Sequence, residues 1–225
     1  IPFYQYNTII VGTGAAGLNA AVTLHKLGQK NIALITEGRY MGTSRNTGSD
    51  KQTYYKMTQC GSEPDSVRKM AKTLFEGGCV DGDIAMAEAA GSLRAFYHLV
   101  DIGVPFPFNK SGEYVGYKTD HDPLKRGISA GPLTSKYMTE CLERQAEERG
   151  IPFFDGYQAV RLLTEEKDGE KRAAGIIALN KQKAASPDER YAVFSAVNII
   201  WATGGEAGMY QASVYPVSQT GGMGV

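Results

Sequence analysis

The sequence is poor in the residues that build metal sites and disulfide frameworks. Its 225 residues include three cysteines, three histidines and one tryptophan. The cysteines, Cys60, Cys79 and Cys141, lie 19 and 62 positions apart, a spacing that fits neither a disulfide framework nor a zinc site. We therefore expect no bound metal and a reducing compartment, and predict a cytoplasmic location.

The sequence also lacks an excess of charge and a long apolar run. It has 24 Lys and Arg residues against 24 Asp and Glu residues, so we expect no nucleic-acid partner. No apolar run approaches the roughly 18 residues of a spanning helix, so we expect no direct membrane insertion. Ile1 stands where Met would begin a full chain, which suggests that an upstream leader was removed. A hydrophobic fraction of 42% predicts a globular chain, with residues 1–225 as one domain.

The strongest local pattern opens the chain. Residues 8–11 (TIIV) predict a strand buried on both faces, and the glycine-rich turn Gly12-Thr13-Gly14-Ala15-Ala16-Gly17 follows at once. A predicted helix then runs to Gly28, and residues 31–36 (NIALIT) form a second apolar run ending at Glu37. An acid about 20 residues after the last glycine is typical of a βαβ unit that binds a dinucleotide.

Each glycine in this pattern has a physical role. Gly12 permits the tight turn, Gly14 lets the main chain approach a pyrophosphate, and Gly17 allows close packing of helix on sheet. The helix N-terminus then faces the phosphates. Glu37 can accept hydrogen bonds from ribose hydroxyls and would repel a 2′-phosphate, which disfavours NADP. NAD and FAD both satisfy this unit, and a tight turn without a ligand is the simpler alternative.

The rest of the chain predicts three helices, two irregular segments and an antiparallel meander. The helices are expected at 66–77, 83–103 and 134–149, and the irregular segments at 38–61 and 104–131. The meander combines residues 159–163, 174–179 and 191–201. The second helix is expected to bury an apolar stripe: Ile84, Met86, Ala87, Ala90, Leu93, Phe96 and Leu99. The charged residues of 140–149 (ECLERQAEER) are expected to face outward.

Several segments together resemble the FAD-binding domain of the fumarate reductase and succinate dehydrogenase flavoprotein family, which includes L-aspartate oxidase and ketosteroid dehydrogenases. They are IIVGTGAAGLNAA, LITEGRYMGTSRNTG, AVRLL with its meander, NIIWATGG and QTGGMGV. The resemblance implies an α/β, doubly wound, Rossmann-like FAD-binding domain. A parallel central sheet and an antiparallel three-stranded meander belong to it.

The resemblance also implies roles for individual residues. In the family's pattern, Gly12, Gly14, Ala16 and Gly17 hold the pyrophosphate, and Glu37 binds the adenosine ribose. The remaining expected cofactor contacts are Gly42, Thr43, Ser44, Thr47 and Gly48 near the ribityl chain and flavin ring, Ala159 near the adenine, and Ala202, Thr203 and Gly204 on the far side of the cofactor.

Two departures from the family's pattern affect these expectations. The histidine that carries a covalent flavin in membrane-bound relatives falls at Thr43, so we expect non-covalent FAD. The family's paired glycines are replaced by Ser49-Asp50, and its acidic glycine-rich stretch reads Gly221-Gly222 without an aspartate. These two places therefore depart from the flavin contacts that the family's pattern implies.

The implied function is that of an FAD-dependent oxidoreductase, with hydride transfer between flavin N5 and a carbon next to a carbonyl or carboxylate. The implied substrate is a carboxylic acid or an enone. In the family, the catalytic groups come from a capping domain and from the second half of the flavin domain, so we expect them beyond Val225, in further polypeptide or a partner chain. An NAD-linked Rossmann dehydrogenase and a non-catalytic flavin-binding or assembly subunit remain as alternatives.

Within the chain, His121 and Arg126 are the candidate substrate-side residues, because a histidine and an arginine can bind a carboxylate. His25 and His98 are expected to be ordinary helix residues. Arg45 could stabilise a reduced flavin or be a solvated loop residue. The tyrosines that could stack on the flavin or cover core edges are Tyr54, Tyr55, Tyr114 and Tyr117.

Overall fold

The structure is a computed structural model that describes residues 1–49, 52–119, 122–217 and 219. It divides into two compact units. Unit 1 comprises Ile1–Thr47 and Leu142–Val225, and unit 2 comprises Gly48–Cys141. Whether residues 1–225 form one domain stays a prediction.

Unit 1 is built on one six-stranded sheet. Its strands are β1 (Phe3–Val11), β2 (Ile32–Thr36), β5 (Phe153–Asp155), β6 (Tyr157–Lys167), β7 (Glu170–Asn180) and β8 (Tyr191–Trp201), in the order β5-β2-β1-β8-β7-β6. Strands β5, β2, β1 and β8 are parallel, and β6, β7 and β8 form an antiparallel meander. The predicted parallel sheet and meander are both confirmed.

The βαβ unit at the start of the chain forms as the pattern predicts. Helix α1 (Ala15–Lys26) connects β1 and β2 and packs against both strands and against β8. Thr8 to Val11 are all buried, and successive side chains of a strand point to opposite faces. Both faces of the central strand are therefore covered. Gly28 ends the helix at a φ of +100°, where a residue without Cβ meets no steric penalty.

The core on one face of this sheet is aromatic. The ring of Phe194 lies 4.8 Å from Phe154, 5.0 Å from Tyr4 and 5.6 Å from Tyr157, centroid to centroid. These rings come from β1, β5, β6 and β8, so their contacts join the meander to the parallel strands. A tight turn at Asp168-Gly169 joins β6 to β7, and both residues have positive φ.

Unit 2 contains two packed helices and a two-stranded sheet. Its elements are α3 (Val67–Glu76), α4 (Gly82–Asp101), the short strands β3 (Tyr54–Tyr55) and β4 (Gly127–Ile128), and the first part of α5 (Thr134–Glu148), which continues into unit 1. Ser66 begins α3 by accepting from the Lys69 N–H, and Asp81 begins α4 by accepting from Asp83 and Ile84.

The predicted inward stripe of α4 is wrong over the first half of the helix, where Ile84, Met86, Ala87 and Ala90 are all exposed. Ile84 and Met86 are 64% and 42% exposed, whereas Ala85 and Ala89 are fully buried against Met70 and Ala71 of α3. Small residues at this contact let the two helices approach closely, so packing selects the alanine face rather than the bulkier side chains. Phe96 and Leu99 are buried, as predicted.

Unit 2 also buries an ion pair. Arg126 is fully buried, and its Nε and Nη2 donate to the two carboxylate oxygens of Asp65 at 2.8 Å and 2.7 Å. Its Nη1 donates to Thr73 and to the Tyr55 hydroxyl. Burial favours the neutral form of Asp65, but hydrogen bonds from Arg126, Thr58 and Ser66 outweigh it and lower the carboxyl pKa.

Among the described residues, no helix is long and apolar enough to cross a membrane. Within the same ranges, no group of histidine, cysteine and acidic side chains has the arrangement of a metal site. Cys60, Cys79 and Cys141 are free thiols.

Candidate functional site

A cleft of about 650 Å³ opens in unit 1 at the carboxyl ends of the central parallel strands. This edge of an open parallel sheet is where α/β proteins generally bind ligands. The predicted residues that line the cleft are Gly12, Gly14, Ala16, Glu37, Gly42, Thr43, Ser44, Ala159, Ala202, Thr203 and Gly204. The structure thus brings together residues from four separate stretches of the chain.

The glycine-rich turn packs against the end of β8 so closely that side chains are excluded. Gly12 has a φ of +109°, and a Cβ there would lie 2.8 Å from the Ala202 carbonyl carbon. A Cβ on Gly17 would lie 3.0 Å from the carbonyl carbon of Gly12. Real Cβ atoms do not approach this closely, so both positions require glycine. Gly17 itself does not line the cleft, because its role is this contact.

The N-terminus of α1 faces the cleft. No acidic side chain in its first turn neutralises the positive end of the helix dipole. Gly14 begins the helix with an extended backbone and without a side-chain cap. The Ala15 N–H donates to Ser44 Oγ at 3.3 Å, which ties the loop 38–47 to the helix start. Main-chain donors and the helix dipole at this point suit an anionic group such as a pyrophosphate.

Glu37 lies at the end of β2 and lines the same cleft. Its Oε1 accepts from Lys181 Nζ at 2.8 Å, and both side chains are 43% exposed. A pair this exposed contributes little to stability, and water or a ligand hydroxyl can compete for the carboxylate. Glu37, the predicted ribose-binding residue, therefore lies at the cleft. Its neighbour Lys181 was not indicated by the sequence pattern.

The loop 38–47 forms one wall of the cleft. It contains the short helix α2 (Thr43–Asn46), within a segment that was predicted to be irregular. The Thr43 hydroxyl donates to Gln219 Oε1 at 2.6 Å. The Thr47 hydroxyl donates to the Thr43 carbonyl at 2.7 Å and does not line the cleft.

Gly48 belongs to unit 2, where a Cβ would lie 2.8 Å from the Pro132 carbonyl oxygen. It requires glycine for that local contact. His121, Asp50, Gly221 and Gly222 lie outside the described residues, so the expectations attached to them stay predictions.

Arg45 is not a solvated loop residue. Its side chain is 13% exposed, and its Nη2 is ion-paired with Glu143 Oε2. Arg39 donates from Nε to Glu143 Oε1 at 2.5 Å and is also ion-paired with Glu147. Burial lowers the pKa of Arg39, but these hydrogen bonds outweigh it and raise the pKa. The outward orientation predicted for Glu143 is wrong: its side chain is 11% exposed. The burial of its charge is compensated by the two arginines.

Arg126, the substrate-side candidate, lies in the buried ion pair of unit 2 with Asp65. The donors of its guanidinium are directed at protein groups, which disfavours a substrate role, although that role stays a prediction. Tyr54 and Tyr114 pack on Phe96, at 6.0 Å and 5.1 Å between ring centroids, so they contribute to the core of unit 2.

His25 and His98 both lie on helices, as the sequence predicts. His25 lies on α1 with Nδ1 3.1 Å from Lys30 Nζ, and His98 lies in the last turn of α4.

The sequence patterns did not indicate every residue of the cleft. Those missed include Thr13, Met41, Tyr157, Trp201 and Gln219. Thr13 and Trp201 directly adjoin predicted residues, so their place in the sequence was an available signal. Met41 likewise adjoins the predicted Gly42, and Gln219 opens the segment QTGGMGV that carries part of the resemblance. Tyr157 enters through the fold alone.

Comparisons with known proteins agree with this geometry. The family model of the FAD binding domain matches residues 7–224. L-aspartate oxidase of Agrobacterium fabrum is 27% identical over 220 residues, which cover 95% of this chain and 38% of the relative. The mitochondrial succinate dehydrogenase flavoprotein subunit of Oryza sativa is 28% identical, over 92% of this chain and 32% of the relative.

Solved structures show the same fold. The quinol fumarate reductase FrdA of E. coli, as an E245Q variant, matches with a TM-score of 0.82 and 21% identity, over 100% of this chain and 37% of that one. A 3-ketosteroid Δ4-(5α)-dehydrogenase of Rhodococcus jostii matches with a TM-score of 0.67 and 18% identity, over 91% and 47% of the two chains. The predicted fold class is confirmed.

The chain spans about a third to two fifths of the length of the curated relatives it matches. Those relatives bear the names of an oxidase and of a dehydrogenase flavoprotein, which is the class that the sequence predicts. The family match also confirms FAD as the cofactor over NAD. The chain therefore belongs to the FAD-binding domain family, the domain found in the flavoprotein oxidoreductases of the fumarate reductase, succinate dehydrogenase and L-aspartate oxidase type.

Proposed function

We propose that the cleft of unit 1 holds FAD without a covalent bond. The observation that carries the proposal is the position of two features in one cleft: the uncapped N-terminus of α1 at Gly14, and the carboxylate of Glu37. Main-chain N–H groups at the helix start would hold the pyrophosphate, and Glu37 would accept from the adenosine ribose. Ala159 would contact the adenine through its backbone.

The other wall supports the flavin end of the cofactor. Gly42, Thr43 and Ser44 line the cleft on the side of the loop 38–47, and Ala202, Thr203 and Gly204 line it beyond β8. Thr43 occupies the position at which covalent relatives carry a histidine, and a threonine hydroxyl does not form that linkage. The bound cofactor should therefore dissociate when the protein unfolds.

The whole protein is proposed to be an FAD-dependent oxidoreductase acting on a carboxylic acid or an enone. Bound FAD supplies hydride transfer between its N5 and a carbon next to a carbonyl or carboxylate. The residues described here bind and orient the cofactor, and substrate-binding groups are assigned to further polypeptide or to a partner chain. The greater length of the relatives supports that division. The cytoplasmic location stays a prediction from the cysteines.

The test is identification of the cofactor in the purified protein. We expect a yellow protein with absorbance near about 450 nm, and acid or heat treatment should release FAD into the supernatant, where chromatography identifies it. Colour that stays with the precipitated protein would contradict non-covalent binding. Release of NAD, or a colourless protein that does not take up added FAD, would contradict the proposed site.

A further inference from the structure

The loop 38–47 is fixed by ion pairs from a distant helix. Glu143 lies on α5, and its side chain is 11% exposed. Its two carboxylate oxygens have different partners: Oε1 accepts from Arg39 Nε, and Oε2 accepts from Arg45 Nη2. The two arginines lie 104 and 98 positions away in sequence. A single carboxylate thus joins both ends of the loop to α5.

Other contacts hold Arg39 in the orientation that this arrangement needs. Its guanidinium lies 4.0 Å from the centroid of the Phe153 ring, and its main-chain N–H donates to Asp155 Oδ1 at 2.9 Å. Both partners belong to β5, the edge strand beside β2. Arg39 is therefore held by the sheet as well as by α5. Arg45 lies over the Tyr40 ring, 5.0 Å from its centroid, and Tyr40 belongs to the loop itself.

The segment between the two arginines is a wall of the cofactor cleft. Met41, Gly42, Thr43 and Ser44 all line it. Regular secondary structure contributes little to the position of this segment, because α2 has only four residues and so short a helix is not stable by itself. Its position in the absence of ligand must come from tertiary contacts, which include the ion pairs of Arg39 and Arg45 with Glu143 and the pair of Arg39 with Glu147.

From this geometry we propose that Glu143 is a positioning residue for the cofactor. Its carboxylate holds Arg39 and Arg45 so that the loop 38–47 has its binding conformation before FAD arrives. The inference rests on the proposed FAD site in the cleft. Glutamine in place of Glu143 has one acceptor oxygen, and its NH2 group would meet an arginine donor, so it cannot serve both arginines.

The expected consequence concerns affinity. When only a fraction of the protein has a competent loop, the apparent Kd rises by the inverse of that fraction. A Glu143→Gln protein whose loop is competent one tenth of the time should bind FAD about tenfold more weakly. The association rate should fall as well, because FAD must wait for the competent conformation.

The test compares the FAD Kd of cofactor-stripped wild type, Glu143→Gln and Glu147→Gln, by flavin fluorescence titration at a temperature at which all three are folded. Glu147 is the matched control, because it lies one turn further along α5 and pairs with Arg39 from a side chain that is 53% exposed. We expect about tenfold weaker binding for Glu143→Gln and a change within about twofold for Glu147→Gln. Amide hydrogen exchange of residues 38–47 without FAD should be faster in Glu143→Gln only.

A purely structural role predicts a different result: a lower Tm for Glu143→Gln with an unchanged FAD Kd, and this would overturn the proposal. If Glu143→Gln does not fold, the FAD Kd of Arg45→Met tests the proposal instead. Weaker FAD binding by Arg45→Met supports the proposal, and an unchanged Kd contradicts it. Failure of the proposed FAD site gives a different result. In that case Glu37→Arg binds FAD as tightly as wild type does, or wild type does not bind FAD.

Discussion

The Thr13 hydroxyl donates to Thr36 Oγ1 at 3.0 Å across two adjacent strand ends. Both side chains are buried, with 6% of each residue exposed. Thr36 Oγ1 also accepts from the Gly38 N–H at 3.3 Å. Thr13 lies within the glycine-rich turn, and Thr36 immediately precedes Glu37. This hydroxyl pair therefore fixes the proposed phosphate-binding turn relative to the proposed ribose-binding carboxylate.

We predict that Thr36→Val lowers the free energy of unfolding by about 1 kcal/mol, because the buried Thr13 hydroxyl then keeps the more distant Arg39 carbonyl, at 3.5 Å, as its acceptor. Urea denaturation measures this loss. The double variant Thr13→Val with Thr36→Val should recover part of it, since the Thr13 hydroxyl is then absent as well. Thr23→Val is the control: Thr23 is an exposed threonine on α1, and a change within about 0.5 kcal/mol is expected. A neutral Thr36→Val would contradict the importance of the pair.

Gly12 and Gly91 provide a second pair of variants with opposite expected signs. Gly12→Ala places a Cβ 2.8 Å from the Ala202 carbonyl carbon at a φ of +109°, so we expect a loss of about 2 kcal/mol or more. Gly91 lies inside α4 with no atom within 4 Å of an added Cβ, so Gly91→Ala should stabilise by about 0.5–1 kcal/mol. Thermal denaturation of both variants shows whether each substitution raises or lowers the Tm. Equal effects would show that the close contact at Gly12 is not as described.

Local patterns predicted the fold well where each element is specified by nearby residues. The β1–α1–β2 unit, helices α3 and α4 and the β6–β7–β8 meander depend on short-range rules of spacing and backbone conformation. These rules also placed Gly12, Gly14 and Glu37 in one cleft. The resemblance extended the prediction to Ala202–Gly204, which pack against Gly12 in the fold.

The misses share a physical cause. Glu143 looks like an outward residue in a charged stretch, because the arginines that compensate its burial are about a hundred positions away. Ile84 looks like a core residue, yet α3 packs against the alanine face of α4 instead. Both depend on which elements meet in the folded chain, and hydrophobic periodicity carries no information on that.

The ion pair between Asp65 and Arg126 gives a prediction about acid stability. The Asp65 pKa is lowered in the folded protein, so the folded state binds its proton less readily than the unfolded state. Its contribution to stability is present above the unfolded pKa, about 3.9, and is lost as pH falls through the folded pKa. Asp65→Asn should cost about 1–3 kcal/mol near neutral pH, because Arg126 loses its two hydrogen bonds to this carboxylate while it retains Asp122, 3.4 Å from Nη1.

Urea denaturation of wild type and Asp65→Asn between neutral pH and about pH 3 measures both effects. The difference between the two proteins should shrink in the acid part of that range. Asp83→Asn is the control, because Asp83 is exposed in the first turn of α4. A difference between wild type and Asp65→Asn that does not depend on pH would contradict the assignment of a lowered pKa to Asp65.

The most direct measurement for the account as a whole is the FAD Kd of cofactor-stripped Glu37→Arg, with Glu37→Gln and the exposed meander variant Glu166→Arg beside it. Hydrogen bonds to a charged group are worth about 1.5–3 kcal/mol, so both Glu37 variants should bind FAD about tenfold or more weakly. Glu166→Arg should bind it like wild type. An unchanged Kd in Glu37→Arg would contradict the claim that this cleft holds the adenosine half of FAD.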